Sequence, residues 1–204
     1  MCNGCLKPLG DRSVVDQTCR WVRFPLSLLN SNYMHYYKQN KNYTCGCACF
    51  QMVLSRLGFD DIPSQDDLEL AMNTSLANTG THYDDMVRIG KDYGIDVIDG
   101  VDGTIDHIDK LTKDGWVVVL GISLDVPHFV IYLDNNGNHI FMDDPFRGQR
   151  SNFQIKKFLR NHWDINHKKY TMVKLDFSDL DFDPAMDKHR YWIAYKKNKK
   201  ILDN

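Results

Sequence analysis

Three cysteines at every second position, Cys45, Cys47 and Cys49, are the residues of this sequence best suited to chemistry. They begin an apolar stretch of helical periodicity that stops at Gly58, so Cys45 should lie at a helix N-terminus. The free N–H groups and the dipole there favour an anion and would stabilise a thiolate. Cys47 and Cys49 should lie inside the helix, where burial favours the inert thiol. Cys45 is therefore the candidate nucleophile, although three small packing residues would give the same pattern.

A nucleophilic thiolate needs a histidine as its base, and the histidine needs a carboxylate that orients its ring. Among the eight histidines, His128 opens a strongly apolar segment directly after Pro127. This position predicts a polar ring at the mouth of a buried strand, facing a cleft, although a strand-end histidine with local hydrogen bonds is the alternative. Gly46, directly after Cys45, would let a substrate backbone approach the same centre closely.

The hairpin after His128 predicts which carboxylate reaches the ring. A three-residue loop at 135–137 would place Asp144 directly opposite His128. Residues directly opposite share a sheet face, so Asp144 should point toward His128 and Asp143 away from it. A two-residue Asn-Gly loop would shift the register by one residue and break this pairing.

Four sequence blocks, taken in order, resemble the C39 family of papain-like cysteine peptidases. Gln39 lies six residues before Cys45, which begins a Cys-Gly-x-Ala-Cys motif and an apolar helix that closes on Leu-Gly. His128-Phe-Val resembles the family's His-Phe-Val block, and Asp144-Pro follows sixteen residues later, as in the family. The middle segment, which runs into a helix ending on Tyr-Gly, is similar as well. The resemblance covers about residues 34–165.

By that resemblance, Cys45 is the nucleophile, His128 the base and acid, and Asp144 the group that orients His128. Gln39 would donate a side-chain N–H to the oxyanion, together with the backbone N–H of Cys45. One such donor contributes about 10²- to 10³-fold in rate. The implied reaction is hydrolysis of an amide bond in a peptide or protein substrate, with no cofactor and no metal.

The fold implied is α+β, a papain-like cysteine protease fold. Its N-terminal helical part, with the cysteine helix, packs on an antiparallel sheet that carries the histidine and the aspartate. Two other functions stay open: a protein glutamine deamidase or acyl transferase that uses the same triad, and a binding protein that kept the fold without turnover. The sequence departs from the family at Thr44, where an acidic or amide residue often precedes the cysteine.

The elements that must position these residues follow from periodicity and capping residues. The predicted helix starts are a cap at Ser64, a capping box at Thr81 with Asp84, and a cap at Thr104. The predicted strands lie at 116–122, 128–133, 139–143 and 191–195, and one more helix lies near 153–163. Helices that come first and an antiparallel sheet that follows are the α+β pattern.

Composition bounds the class of protein. The 204 residues, 43% of them apolar, suit one domain at 31–204 with an N-terminal extension at 1–30. A net charge of −2 gives no electrostatic case for a nucleic-acid partner. No stretch approaches the length of a membrane span. The sequence resembles the free-standing branch of the family. It does not predict an oligomeric state.

All six cysteines lie in the first quarter of the chain, whereas a disulfide scaffold would spread them out. We therefore expect reduced thiols. Without a secretory signal pattern, the predicted location is cytoplasmic, with secretion by a route lacking a cleaved signal left open. Cys2 and Cys5, with Cys19, form an incomplete zinc-knuckle pattern, for which a reduced terminus without metal is the favoured interpretation.

Overall fold

The protein is described by a computed structural model over residues 14–15, 21–22, 35–78, 80–101, 103–124, 126–163 and 190–198. The chain divides into two compact units, Met1–Met34 and His35–Asn204. In the first unit, strands β1 (Val14–Val15) and β2 (Trp21–Val22) pair antiparallel. The second unit contains every residue of the predicted catalytic site.

The second unit begins with three helices, and a further helix separates its first two strands. In chain order they are α1 (Cys45–Arg56), α2 (Gln65–Ala71), α3 (Tyr83–Asp92), β3 (Asp96–Gly100), α4 (Ile105–Lys113), β4 (Val117–Ser123), β5 (Pro127–Asn135), β6 (His139–Asp144), β7 (Gly148–Gln154), α5 (Ile155–Phe158), a π-helical turn (Leu159–Trp163) and β8 (Trp192–Lys196). The strands form one antiparallel sheet in the order β3-β8-β4-β5-β6-β7. Within the described residues, no helix combines the length and the apolar character that crossing a membrane requires.

The helices begin and end close to the predicted positions. The Ser64 hydroxyl accepts the N–H of Asp67 at 3.1 Å, and the Thr104 hydroxyl accepts the N–H of His107 at 3.2 Å. Both predicted N-caps are therefore confirmed. Helix α1 is followed by Gly58 with φ of 73°, the left-handed conformation that commonly ends a helix.

The capping box predicted at Thr81 is wrong. The residue at the N-cap of α3 is His82, and its side chain makes no capping hydrogen bond. The hydroxyl of Thr81 lies instead 2.7 Å from that of Thr74, so it is committed to a tertiary contact rather than to the helix end.

The sheet separates two buried clusters of side chains. Val119 and Ile131 face the cluster formed by α1, α2 and α3. Val118 and Leu120, their neighbours along the strand, face the cluster formed by α4, α5 and the π-helical turn. This alternation is the period-2 pattern of strands buried on both faces. The α+β architecture, with the cysteine helix packed on the antiparallel sheet, is confirmed.

Strand β8 follows all other described elements in the chain but lies inside the sheet, between β3 and β4. Its Tyr195 pairs with Val97 on one side and with Val117 on the other. The Tyr195 side chain is buried, and its hydroxyl donates to the backbone oxygen of Met86 at 2.9 Å. Strand β8 therefore joins the two parts of the sheet and ties them to α3.

The register predicted for the β5–β6 hairpin is wrong. Asn135 pairs with Ile140, so the loop holds the four residues 136–139 rather than three. The N–H of Asn136 closes this loop on the backbone oxygen of His139 at 3.1 Å. Farther from the loop, a bulge at Leu133 shifts the register a second time.

At the end of the hairpin that matters for the site, the loop shift of three residues is reduced by the bulge to an even displacement. Ile131 lies opposite Asp143, whereas the predicted register placed it opposite Phe141. The net displacement is therefore two residues. Because side chains alternate between sheet faces, an even displacement keeps each one on its predicted face. Asp144 still points the same way as His128, although the two are not directly opposite.

Candidate active site

Cys45 is the first residue of α1, and it is 6% exposed. The N-cap residue, Thr44, makes no side-chain hydrogen bond to the helix. The N–H groups of the first turn, which lack intrahelical partners, therefore receive no acceptor from that side chain and can face an anion at Cys45.

The two other thiols of α1 are buried packing residues, as predicted. Burial raises the pKa of Cys47 to about 11, against the opposing effect of hydrogen bonds with Thr74 and Thr81. Burial likewise raises the pKa of Cys49 well above its usual value. The Cys47 Sγ lies 3.6 Å from the Thr74 hydroxyl, so this thiol faces the segment between α2 and α3 rather than the sheet. Both thiols stay protonated at neutral pH and are poor nucleophiles.

Gly46 is required by packing, and the expectation that it opens space for a substrate backbone is wrong. A Cβ atom at this position would overlap the side chain of Thr81. Thr81 is in turn held by the hydroxyl of Thr74. The absence of a side chain at Gly46 thus allows Thr81 to lie directly against the first turn of α1.

His128 and Asp144 are joined at the ends of β5 and β6. His128 Nε2 lies 2.7 Å from Asp144 Oδ1, which confirms the prediction that this carboxylate reaches the ring. The same oxygen accepts the N–H groups of Phe146 at 2.8 Å and Arg147 at 3.1 Å. Burial raises the pKa of Asp144, but these hydrogen bonds, first of all that of His128, outweigh burial and lower it. Asp144 is therefore an ionised carboxylate.

The ring of His128 also interacts with Cys45. Burial lowers the pKa of His128, but hydrogen bonds to Asp144 and to Cys45 outweigh it and raise the pKa to about 9. Because Nε2 is used on Asp144, the other ring nitrogen, Nδ1, is the one left for Cys45. At neutral pH the ring is therefore an imidazolium, and it lies between the Asp144 carboxylate and the Cys45 side chain.

Asp143 points away from His128, as predicted. Its carboxylate forms a buried ion pair with Arg56, near the end of α1, and its Oδ1 accepts the N–H of Arg150 at 2.8 Å. The side chains of Arg56 and Asp143 are 8% and 3% exposed. The two adjacent carboxylates therefore have different cationic partners.

Gln39 lies in the segment before α1, beside the strand end that carries Asp144. Its N–H donates to the backbone oxygen of Pro145 at 3.1 Å. Its side-chain Nε2 donates to the backbone oxygen of Lys41 at 2.8 Å. The oxygen Oε1 is buried and accepts no hydrogen bond from the described residues. The amide nitrogen carries a second hydrogen that can serve a further acceptor.

Gln65, the first residue of α2, is a residue of this site that sequence analysis missed. Its Oε1 accepts the N–H of Asn40 at 3.0 Å and lies 3.1 Å from the Thr44 hydroxyl. Its Nε2 donates to Lys38 O at 2.9 Å and to Gln51 Oε1 at 3.0 Å. The departure from the family pattern at Thr44 was the one sequence signal that pointed to this segment.

Metal ligation has no geometric support in the described part of the chain, where no three His, Cys, Asp or Glu side chains are grouped to hold an ion. Cys2, Cys5 and Cys19, the residues of the zinc-knuckle pattern, lie outside the described residues.

The chain was compared with known families and proteins. The Peptidase C39 family matches residues 33–166. No curated protein gives a significant match.

Solved structures similar to this one include two peptidase structures. The peptidase domain of Streptococcus ComA, described as a bi-functional ABC transporter involved in a quorum sensing pathway, has a TM-score of 0.55 and 16% identity, and the match covers 80% of this chain and 100% of the other. A protein from Bacillus anthracis described as a C39-like peptidase has a TM-score of 0.54 and 14% identity, over 82% of this chain and 96% of the other. At these identities the similarity shows the fold, and the papain-like fold is confirmed.

Proposed function

The chain belongs to the Peptidase C39 family and is a cysteine peptidase, and we propose that it hydrolyses peptide amide bonds through Cys45, His128 and Asp144, with Gln39 in the oxyanion hole. The observation that carries this proposal is the position of His128, between an ionised carboxylate on Nε2 and the thiol that begins α1. A thiolate nucleophile requires a base in that position and a carboxylate behind it. The substrate is a peptide or an extended segment of a protein.

In the first step, the Cys45 thiolate attacks the carbonyl carbon of the scissile bond. The C–S bond forms, and the electron pair of the carbonyl moves to its oxygen. The backbone N–H of Cys45 and the second hydrogen of Gln39 Nε2 donate to this oxyanion. These donors bind the oxygen more strongly in the transition state and the intermediate than in the ground state, because its negative charge develops there.

In the second step, His128 gives its proton to the leaving amine, the C–N bond breaks, and a thioester on Cys45 remains. The neutral ring then takes a proton from water, whose oxygen attacks the thioester. Collapse of that intermediate releases the acid and the Cys45 thiolate, and His128 is again protonated. Asp144 stabilises the imidazolium at both stages without taking its proton.

The proposal is tested by mass spectrometry of the full chain with a mixture of unstructured synthetic peptides. Wild type should produce peptide fragments, whereas Cys45→Ala and His128→Ala should not. A chloromethyl ketone peptide should label wild type at Cys45 alone. Equal labelling of all six cysteines, or of none, would contradict the proposal. A deamidated peptide of unbroken length would indicate hydrolysis of a side-chain amide instead.

A further inference from the structure

The side-chain amide of Gln65 donates both of its hydrogens, and its oxygen accepts a backbone N–H. The backbone partners fix its orientation, since the N–H of Asn40 can only donate and the carbonyl of Lys38 can only accept. These two residues lie on either side of Gln39 in the chain. Gln65 therefore holds the backbone immediately before and immediately after the proposed oxyanion donor.

The remaining partners of Gln65 belong to the cysteine helix. Thr44, whose hydroxyl lies 3.1 Å from Gln65 Oε1, directly precedes Cys45. Gln51, which accepts from Gln65 Nε2 at 3.0 Å, lies on α1 itself and is buried. Gln51 is fixed in turn, because its own Nε2 donates to the backbone oxygen of Pro63 at 2.7 Å. Through one amide, the segment that carries Gln39 is joined to the helix that carries Cys45.

Other contacts of this segment constrain it less. Lys41 reaches Asp66 at 2.9 Å and Glu69 at 2.7 Å, but the Lys41 side chain is 40% exposed. Surface ion pairs of this kind contribute little because solvent screens them. The N–H of Gln39, which donates to the backbone oxygen of Pro145, anchors the segment at the end of β6 rather than on α1.

We propose that Gln65 is a positioning residue for peptide hydrolysis. It holds the 38–44 segment against α1 so that the Gln39 amide and the Cys45 N–H converge on one oxyanion. This inference rests on the proposed function, in which those two groups form the oxyanion hole. A misplacement of about 1 Å at a catalytic group costs on the order of 10²-fold in rate, so a loosened segment should be readily measurable.

Two variants test the proposal. Gln65→Met keeps the length of the side chain but removes every hydrogen bond. Gln65→Glu keeps an acceptor for the N–H of Asn40 and cannot donate to Lys38. A carboxylate at the first position of α2 also suits the helix dipole, so this variant should fold. The matched control is Gln154→Met, at an exposed glutamine whose side chain makes no helix-capping bond.

Two reactions of Cys45 are then compared. Acylation by p-nitrophenyl acetate passes through an oxyanion, whereas alkylation by iodoacetamide does not. Reaction at other thiols is subtracted with Cys45→Ala. Gln65→Met should slow acylation by about 10-fold and change alkylation by less than about 2-fold, as expected for a partly lost oxyanion donor. The acylation rate of Gln65→Glu should lie between those of Gln65→Met and wild type. The acylation rate of Gln154→Met should match that of wild type.

The decisive measurement repeats Gln65→Met in a Gln39→Ala background. If Gln65 acts through Gln39, the double variant should acylate no more slowly than Gln39→Ala alone. A further 10-fold loss in the double variant, or an equal loss of acylation and alkylation in Gln65→Met, would overturn the positioning role. Two other results would contradict the proposed function itself. These are an unchanged acylation rate in Gln39→Ala and acylation that persists in Cys45→Ala.

Discussion

At the scale of single residues, His128 sets the pH range in which the site can work. Burial lowers its pKa, but Asp144 and Cys45 outweigh burial and raise the pKa to about 9. In the proposed mechanism, His128 therefore holds the proton for the leaving amine below that pH and loses it above. We expect kcat/KM for peptide hydrolysis to fall as the pH rises through about 9.

Replacing Asp144 tests why kcat/KM falls at high pH, on the falling limb of the pH profile. Asp144→Asn removes the carboxylate charge that raises the pKa of His128. The pKa of the ring should therefore drop, and the falling limb of the pH profile should move to lower pH, with a lower maximum rate. The measurement is kcat/KM against pH for wild type and variant. A limb at the same pH in both proteins would show that Asp144 does not control the ring.

The buried thiol Cys49 should matter for stability and not for the reaction. It is fully buried, so Cys49→Ala should lower the free energy of unfolding by about 1 kcal/mol, the typical cost of a small core truncation. Acylation of Cys45 should stay within about 2-fold of wild type. Urea unfolding and p-nitrophenyl acetate acylation measure the two quantities. Cys45→Ala should give the opposite result, with acylation lost and the free energy of unfolding nearly unchanged. The reverse pattern in the two variants would contradict the roles given to Cys45 and Cys49.

The contact between His128 and Asp144 could be predicted from the sequence, because alternation along a strand fixes which residues share a face. The role of Gln65 could not. Two of its partners are backbone groups, which every residue carries and which therefore leave no mark in a sequence. Only the tertiary packing of α2 against the segment before α1 brings them together.

At the scale of elements, the ion pair of Arg56 and Asp143 ties α1 to β6 and so fixes the cysteine helix on the strand that ends at Asp144. Arg56→Met leaves Asp143 buried without its cation. We expect the free energy of unfolding to fall by about 3 to 5 kcal/mol, measured by urea denaturation. Arg88→Met is the control, since the Arg88 side chain is 47% exposed and solvent screens its pairs with Asp85 and Asp92, which should contribute about 1 kcal/mol or less.

A second substitution distinguishes loss of the charge pair from loss of packing. In Arg56→Met/Asp143→Asn, the amide oxygen can still accept the N–H of Arg150, and no charge is buried. The double variant should therefore be more stable than Arg56→Met alone. If it is equally or less stable, the cost of Arg56→Met comes from packing at the end of α1.

Inner elements could be predicted from the sequence, whereas edge elements could not. The buried strands β4, β5, β6 and β8 carry apolar runs and lie within a residue or two of the predicted positions. Strands β3 and β7 were missed. Both lie at the edges of the sheet and have no fully buried residue, so their sequences, DVIDG and GQRSNFQ, lack the apolar signal. The hairpin register failed because the loop holds four residues rather than three, and neither the loop length nor the bulge at Leu133 has a distinctive sequence.

At the scale of the whole molecule, the sheet depends on β8. All four of its residues from Trp192 to Tyr195 are buried, and they contribute to both side-chain clusters. A chain that stops before Trp192 would leave β3 and β4 without their shared neighbour. We expect such a truncation to lose both its cooperative unfolding transition by circular dichroism and its acylation of Cys45.

A mild change in the same strand is the control for this truncation. Tyr195→Phe removes only the hydrogen bond to Met86 O, so it should cost about 1 to 3 kcal/mol and keep acylation. If the truncated chain unfolds cooperatively with an intact site, β8 is an accessory strand.

The central position of β8 has a consequence for the synthesis of this protein. A ribosome makes β8 after every other described strand, so the growing chain carries β3 and the β4–β7 strands before anything can join them. Until then, the faces that Ile193 and Tyr195 will cover stay open to water beneath α1. Pairings between distant parts of a chain form slowly, and their exposed edges invite aggregation. A nascent chain therefore holds Cys45, the proposed nucleophile, before the sheet is complete, and we expect peptidase activity to begin only once β8 has been translated and inserted.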